Sequence, residues 1–257
     1  MERKTKVEEE EEIFYSPERI IEVNDEDENI KLGYLRAILD KQDPSCKDVD
    51  DLTLRRFLRA RDLDAEKASR MFIKYLTWRR SFVPKGSISQ SEVTNHIGIN
   101  KMFMQGKDKR GCPLSIFFGG RHFPSKGGND ELKRFCVLFF LDKLCSRIPD
   151  GEEKFTIIAD LQGYGYSNND ARGYITAFSI LQDYYPERLR KLFVIHVPYI
   201  FMAFWKIICP FIDKKTTKKV VFVEKERMHA TFVEEIDENQ LPEIYGGKLD
   251  LVPIQDG

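Results

Sequence analysis

The sequence predicts an α/β fold, in which a small N-terminal helical bundle precedes a lobe built on a mainly parallel sheet. Apolar residues recur at helical spacing from Ile30 to Trp78. After Pro84 the pattern changes, and short continuous apolar runs such as Phe155–Leu161 alternate with helical stretches. Such runs are typical of strands buried on both faces, and the alternation indicates right-handed crossovers between parallel strands.

The chain is expected to have four parts. Its first part carries the acidic runs Glu8–Glu12 and Asp25–Glu28. We expect this segment to be disordered, because like charges repel and it has little apolar surface to bury. The expected parts are an acidic tail at 1–29, the helical bundle at 30–84, the lobe at 85–250 and a C-terminal tail at 251–257.

Three short helices are expected in the bundle. The loop Lys41–Asp48 separates the first helix from the second, and Asp64 is a suitable N-cap for the third. A bundle of this size has a small core, so we expect it to pack on the lobe. The apolar positions that repeat at helical spacing include Leu32, Leu35, Ile38, Leu39, Leu54, Phe57, Leu58, Ala68, Met71, Phe72 and Tyr75.

The lobe should begin with two extended pieces, Lys101–Gln105 and Leu114–Phe118, which are joined by the turn Gly106–Pro113. Helices and strands then alternate to the end of the sheet. The expected elements are a helix at Asp130–Cys145, a strand at Phe155–Leu161, a helix at Asp170–Tyr184, a strand at Lys191–Val197, an apolar helix at Tyr199–Cys209 and a strand at Lys218–Lys225.

Composition excludes several classes of protein. The 257 residues are 42% apolar and carry a net charge of -1. The protein as a whole therefore has no positive electrostatic field to attract nucleic acid, and we expect no nucleic acid as a partner. Met1–Glu12 lacks a secretory pattern, and no run reaches the roughly 18 apolar residues that span a bilayer. The five cysteines form no C-x-x-C pair, which favours reduced thiols in the cytoplasm over disulfides or a zinc site.

Catalytic signatures are also missing. The segment Asp160–Asn168 begins a G-x-G pattern, but Asn168 stands where a dinucleotide fingerprint needs its third glycine. A strand-to-helix turn is therefore favoured over a nucleotide-dependent enzyme, which stays an alternative. We expect no enzymatic activity, no cofactor and no metal. The four histidines lie far apart in the sequence without metal-ligand spacing: His96, His122, His196 and His229.

The stretch from Pro198 to Asp213 is apolar and is interrupted only by Lys206. As a helix it would be apolar around its whole circumference, whereas a surface helix normally has a polar face. Two alternatives remain: a helix deep in the core, or a lid between an apolar cavity and a membrane. Four lysines follow, and each would add about 1 kcal/mol of attraction to an anionic lipid surface. They are Lys214, Lys215, Lys218 and Lys219.

A lid implies a cavity behind it if the ligand is a lipid. Exposing an acyl chain to water costs about 0.8 kcal/mol per CH2, so roughly 12 kcal/mol for a ~16-carbon chain. Contacts on the protein surface do not replace the hydrocarbon interior of the bilayer that the chain leaves. A protein that carries a lipid therefore needs an enclosed apolar pocket and a segment that opens to admit the lipid.

Four motifs, found in the right order, resemble the CRAL-TRIO, or Sec14-like, lipid-transfer family, and are most similar to short plant members without further domains. The resemblance covers about residues 30–250 and implies a helical CRAL-TRIO-N region followed by a lobe whose sheet floors a lipid cavity. A gate helix, here Tyr199–Cys209, would close that cavity between Pro198 and Pro210. The motifs are Asp50–Ala68, Asp160–Asn168, Tyr184–Asp213 and Leu241–Leu249.

The resemblance also implies a function and its residues. It implies phosphatidylinositol transfer between membranes by a cytoplasmic monomer in transient contact with membrane surfaces, and leaves open a second phospholipid ligand. The headgroup would contact Arg61, Glu187, Asp213, Thr216 and Lys219. Gate and membrane contact would involve Ile200, Phe201, Phe204, Trp205 and Ile208, with Phe201 and Phe204 touching the membrane. The basic patch would be Lys214, Lys215 and Lys218.

The chain departs from the family pattern at several positions. Asp62 replaces a basic residue that many relatives carry, and Lys214-Lys215 replaces a Pro-Val pair. Ser115 stands where members that bind choline lipids carry an aromatic residue, and the positions of their hydroxyl pair read Gly165 and Ser167, which favours an inositol lipid.

Other functions remain open. An uncharged terpenoid could be the ligand, or the fold could serve as an interaction module without transfer activity. An ion pair between Arg61 and Glu187 is the structural alternative to their proposed headgroup role.

Overall fold

The computed structural model describes residues 25–125 and 129–256 of the chain. Its sheet has five strands in the order β1-β2-β3-β4-β5. They are β1 Met102–Lys107, β2 Pro113–Phe118, β3 Phe155–Asp160, β4 Leu189–Ile195 and β5 Val220–Phe222. The α-helices are α1 Asp25–Gln42, α2 Asp51–Arg59, α3 Ala65–Phe82, α4 Thr94–Gly98, α5 Asp130–Arg134, α6 Lys143–Cys145, α7 Ala171–Tyr184, α8 Tyr199–Ile208, α9 Lys214–Thr217 and α10 Met228–Glu235. A π-helical segment, Phe135–Asp142, joins α5 to α6.

The helical bundle begins earlier than predicted. Helix α1 starts at Asp25, so the last five residues of the predicted tail are helical and that prediction is wrong for them. Glu28 in its first turn is buried, and its carboxylate lies 2.9 Å from Arg59 and 3.4 Å from Arg55. These cations offset the acidic repulsion on which the prediction of disorder was based. Residues 1–24 lie outside the described part of the chain.

The predicted N-cap at Asp64 is present, since its side chain accepts a hydrogen bond from the Lys67 N–H at 2.9 Å. The bundle packs on the lobe, as expected. The Trp78 ring stacks on Tyr184 of α7 with 3.8 Å between ring centroids. Arg79 donates to Asp142 at 2.6 Å, which ties α3 to the π-helical segment. Helix α3 is thus held against the helical layer of the lobe.

The sheet is mainly parallel, as predicted. Only β1 and β2 pair antiparallel, and the other three pairings are parallel. Because consecutive strands are neighbours, right-handed crossovers place the connecting helices on one face of the sheet. Ile157 and Ala159 of β3 face this helical layer. Ile158 and Phe193 face the other side, where they pack near Phe232 of α10. Both faces of the sheet are therefore covered.

The predicted C-terminal tail belongs to the lobe. The Met104 N–H donates to the Val252 carbonyl at 3.4 Å, and the Ile254 N–H donates to the Met102 carbonyl at 3.2 Å. The Ile254 side chain is buried in the core. These bonds cover part of the outer edge of β1, which would otherwise expose unpaired backbone groups.

Candidate functional site

An apolar cavity lies between the sheet and the helices of the lobe. Its volume is about 1110 Å³, part of which is open to solvent. Its floor is made by Phe117, Ile157, Ala159, Leu192 and Val194, which project from three adjacent parallel strands. Its walls come from the π-helical segment, from α7 and from α8. Side chains therefore do not fill this space, and it offers hydrocarbon surroundings to an apolar ligand.

Helix α8 forms one wall of the cavity. Phe201, Phe204 and Ile208 are buried, and Phe201, Trp205 and Ile208 line the cavity. The spacing of three and four residues places these side chains on one face of the helix. Helix α8 therefore borders a cavity and does not pack into a solid core, and its role as a lid stays a prediction.

The prediction that Phe201 and Phe204 touch a membrane is wrong for the structure described here, since both face inward. The outward apolar residues are Tyr199, Ile207 and Phe211, which are 91%, 62% and 61% exposed. Since every turn of α8 is apolar, the sequence did not show which face is outside. Ile200 and Trp205 are partly buried.

A second, polar cavity of about 690 Å³, part of which is open to solvent, is lined by all five residues predicted to bind a headgroup: Arg61, Glu187, Asp213, Thr216 and Lys219. They come from three separate places in the chain. Arg61 follows α2, Glu187 precedes β4, and the other three surround α9, just before β5. The amino ends of β4 and β5 lie together in the parallel sheet, which explains why these segments meet.

The polar residues of this cavity are only partly paired with one another. Nζ of Lys219 lies 3.3 Å from Oε2 of Glu187. The Arg61 guanidinium donates to the carbonyl of Ala60 at 2.9 Å and makes no ion pair with a carboxylate among the described residues. The alternative of an Arg61–Glu187 ion pair is therefore wrong. Asp213 caps α9 by accepting from the Lys215 N–H at 2.6 Å. Charges of both signs remain accessible to a ligand.

The two cavities adjoin each other. Leu181 of α7 and Leu189 of β4 line both of them. A molecule with a polar head and apolar chains could therefore occupy both at once. The polar cavity suits the head of such a molecule, and the apolar cavity suits its chains.

The three lysines of the predicted basic patch differ in their contacts. Lys214 and Lys218 are exposed. Nζ of Lys215 instead lies 2.6 Å from Oδ1 of Asp62 and donates to the Arg59 carbonyl at 3.1 Å. This hydrogen bond lowers the pKa of the Asp62 carboxyl. Lys215 therefore links α9 to the turn after α2 while it remains exposed, and its place in a membrane patch stays a prediction.

Sequence reasoning missed one polar cluster on the wall of the apolar cavity. Nζ of Lys101 lies 2.7 Å from Nδ1 of His96 and 3.0 Å from Nδ1 of His122. Nε2 of His122 lies 3.0 Å from Oδ2 of Asp170. The only sequence signal is a lysine directly before the apolar residues that begin β1. Among the described residues, no group of three or more side chains is arranged to hold a metal ion.

Burial sets the protonation of this cluster. It lowers the pKa of the Lys101 ammonium to about 8 and that of His96 to about 4, and it also lowers the pKa of His122. Near pH 7 the lysine is therefore charged and the two histidines are neutral. Neutral Nδ1 atoms accept hydrogen bonds from the lysine, which leaves His122 Nε2–H to donate to Asp170.

Comparisons with known proteins agree with this architecture. The sequence profile of the CRAL/TRIO domain matches residues 99–247. The Sec14 cytosolic factor of Schizosaccharomyces pombe is 30% identical over 241 residues, covering 84% of this chain and 77% of that protein. The phosphatidylinositol/phosphatidylcholine transfer protein SFH12 of Arabidopsis thaliana is 30% identical over 251 residues, covering 90% of this chain and 46% of that protein.

The chain spans less than two thirds of the length of several curated relatives that it matches. A solved structure, the crystal structure of Sfh5, superposes with a TM-score of 0.62 at 19% identity. It covers 81% of this chain and 84% of that one, and it supports the fold alone. Among the described residues, no helix has both the length and the apolar character needed to cross a membrane.

Proposed function

The chain belongs to the CRAL/TRIO family, and from that premise we propose that it binds phosphatidylinositol in its gated cavity and transfers it between membranes. The observation that carries the proposal is the junction of the two cavities at Leu181 and Leu189. The polar cavity would take the inositol phosphate, and the apolar cavity would take the acyl chains.

The polar cavity has the chemistry that an inositol phosphate requires. Lys219 and Arg61 supply positive charge and N–H donors to the phosphate, and Thr216 supplies a hydroxyl. Glu187 and Asp213 supply carboxylate oxygens that accept from inositol hydroxyls. The partial pairing of Lys219 with Glu187 would be exchanged for bonds to the ligand.

An uncharged terpenoid fits the polar cavity less well. Such a ligand would cover the charged residues of this cavity without offering them hydrogen bonds, and burying polar groups without partners is unfavourable. The polar cavity therefore favours a ligand with a charged head. Two relatives that are named phosphatidylinositol transfer proteins, from Saccharomyces cerevisiae and Eremothecium gossypii, point the same way.

Helix α8 would be the gate. Its inner face lines the cavity, and Tyr199, Ile207 and Phe211 form an outer apolar surface. Movement of α8 toward a bilayer would let lipid enter without exposing acyl chains to water. We further propose that the protein makes and breaks no bond, acts as a monomer, and is a cytoplasmic protein that contacts membranes transiently. A second phospholipid could share the apolar cavity.

The proposal is tested by measuring transfer of radiolabelled phosphatidylinositol between vesicles. The variant Thr216→Ala/Lys219→Ala should lose transfer by at least about tenfold, because hydrogen bonds to charged groups contribute about 1.5–3 kcal/mol each. Thr217→Ala/Lys225→Ala makes the same chemical changes outside the polar cavity and should transfer normally. Unchanged transfer by the first variant, at equal thermal stability, would reject the headgroup assignment.

A further inference from the structure

The Lys101 cluster lies at the opposite end of the apolar cavity from the predicted headgroup residues. Lys101 precedes β1, His122 follows β2 and Asp170 follows β3, so all three lie at the carboxyl edge of the parallel strands. Glu187 and Lys219 lie at the amino edge of β4 and β5. Strands of about six residues separate these two edges by roughly 20 Å.

Lys101 is a charge for which the described residues provide no direct counter-ion. Its side chain is only 2% exposed. Among described residues no carboxylate contacts it, and Asp170 reaches it only through His122. Two of its three N–H groups are used by His96 and His122. The third has no hydrogen-bond acceptor among the described residues. Nζ lies 5.1 Å from the centroid of the Phe135 ring, and both residues line the cavity.

Tyr174 gives a second, independent indication of a ligand at this end. It also lines the cavity, and its buried hydroxyl has no hydrogen-bond partner among the described residues. Its ring contacts that of His122, with 5.5 Å between ring centroids, so it lies beside the lysine cluster. Buried polar groups without partners are uncommon and unfavourable, and an oxygen-bearing ligand would satisfy them.

The acyl chains of a phospholipid do not meet this need. With the inositol phosphate in the polar cavity, the ester groups lie close to it and only hydrocarbon reaches the Lys101 end. A charged amine facing a methyl terminus would remain unsatisfied. The cluster therefore fits a ligand whose polar group lies at this end while its hydrocarbon runs along the cavity.

We propose that the Lys101 end of the apolar cavity binds the carboxylate of a long-chain carboxylic acid. The carboxylate supplies the missing counter-ion to Lys101 and an acceptor for the Tyr174 hydroxyl. The hydrocarbon occupies the same space as the acyl chains of the phospholipid, so the two ligands compete. The inference depends on the apolar cavity and on Lys101, and is independent of the headgroup residues.

The test uses the full chain and three probes with the same hydrocarbon: hexadecanoic acid, its methyl ester and hexadecanol. Calorimetry should show that the acid binds about ten to a hundred times more tightly than the ester or the alcohol, as expected for a buried charge-assisted hydrogen bond. Equal affinity for acid and ester would overturn the proposal. This comparison needs no variant, so a failure to fold does not affect it.

A variant then assigns the preference to Lys101. Lys101→Met keeps an unbranched side chain without the charge and should abolish the preference for the acid over the ester. Lys85→Met removes an exposed lysine outside the cavity and should keep it. A preference for the acid that survives in folded Lys101→Met would also overturn the proposal. Loss of phosphatidylinositol transfer in Thr216→Ala/Lys219→Ala, with acid binding intact, would show that the two ligands use separate polar groups.

Discussion

Nζ of Lys215 lies 2.6 Å from Oδ1 of Asp62, so that the segment after α8, the proposed gate helix, is held against the turn between α2 and α3. The pair is exposed, and exposed ion pairs contribute about 0.2–1 kcal/mol. Its effect should therefore be larger on the opening of the gate than on global stability.

Breaking this pair should speed lipid exchange. If α9 leaves the bundle when the gate opens, Asp62→Asn weakens only the closed state and raises the transfer rate by up to about fivefold. Lys215→Met should have the same effect, and the double variant should add little to either. Stopped-flow transfer of a fluorescent phosphatidylinositol measures these rates. Additive effects of the two substitutions would show that the contact does not control the gate.

Glu187 allows the headgroup role to be separated from the fold. Its φ is 58°, in the left-handed region that favours glycine. Glu187→Gly should therefore leave the melting temperature unchanged or higher, while it removes the carboxylate beside Lys219. We expect weaker phosphatidylinositol binding at undiminished stability, as measured by transfer assay and thermal unfolding. Normal binding by this variant would remove Glu187 from the headgroup site.

The two faces of α8 should respond differently to substitution. Ile207→Asp changes an exposed position and should leave the free energy of unfolding nearly unchanged, but it should weaken binding to anionic vesicles. Phe204→Ala removes a buried ring and should destabilise the protein by about 3–5 kcal/mol. Urea unfolding and vesicle sedimentation measure the two effects. Normal vesicle binding by Ile207→Asp would show that this face is not the membrane contact.

Lys101 should make stability depend on pH. The pKa of its ammonium is lowered to about 8 in the folded protein by burial, from an ordinary value of 10.5. Between these values the unfolded chain binds more protons, so stability rises with pH by about 3 kcal/mol from this group. Below about pH 8 both states are protonated and this contribution is absent.

The difference in unfolding free energy between the wild-type chain and Lys101→Met isolates that contribution. Burial raises the pKa of several cysteines and tyrosines in the folded protein, which lowers stability at high pH, but these residues are common to both proteins. The wild-type chain should gain stability relative to Lys101→Met between pH 8 and 10.5 in urea titrations. A difference that does not change with pH would show that the pKa of Lys101 is not lowered.

Local sequence signals predicted most of the fold. The N-cap at Asp64 and the continuous apolar run at Phe155–Leu161 each depend on a few neighbouring residues, and such patterns can be interpreted without tertiary contacts. The headgroup residues were predicted only through the family resemblance. Spacing alone does not bring Arg61 to Lys219, which are separated by most of the chain.

The features that the sequence did not predict are of two kinds. Some depend on contacts between residues far apart in the sequence, and others depend on a choice between residues of the same apolar type. Asp62 and Lys215 are 153 residues apart. Lys101 and His122 are 21 residues apart in the sequence, and their contact depends on the antiparallel pairing of β1 with β2. In α8, Phe201 and Ile207 are both apolar, so only the position of the sheet decides that the first is buried and the second exposed.

Lipid extraction shows directly whether the cavity holds one membrane lipid. The purified chain would be incubated with vesicles of phosphatidylinositol and phosphatidylcholine, separated from them, extracted with organic solvent and analysed by mass spectrometry. We predict close to one phosphatidylinositol per chain, and its loss from Thr216→Ala/Lys219→Ala. A chain that leaves the vesicles without any bound lipid would contradict the account.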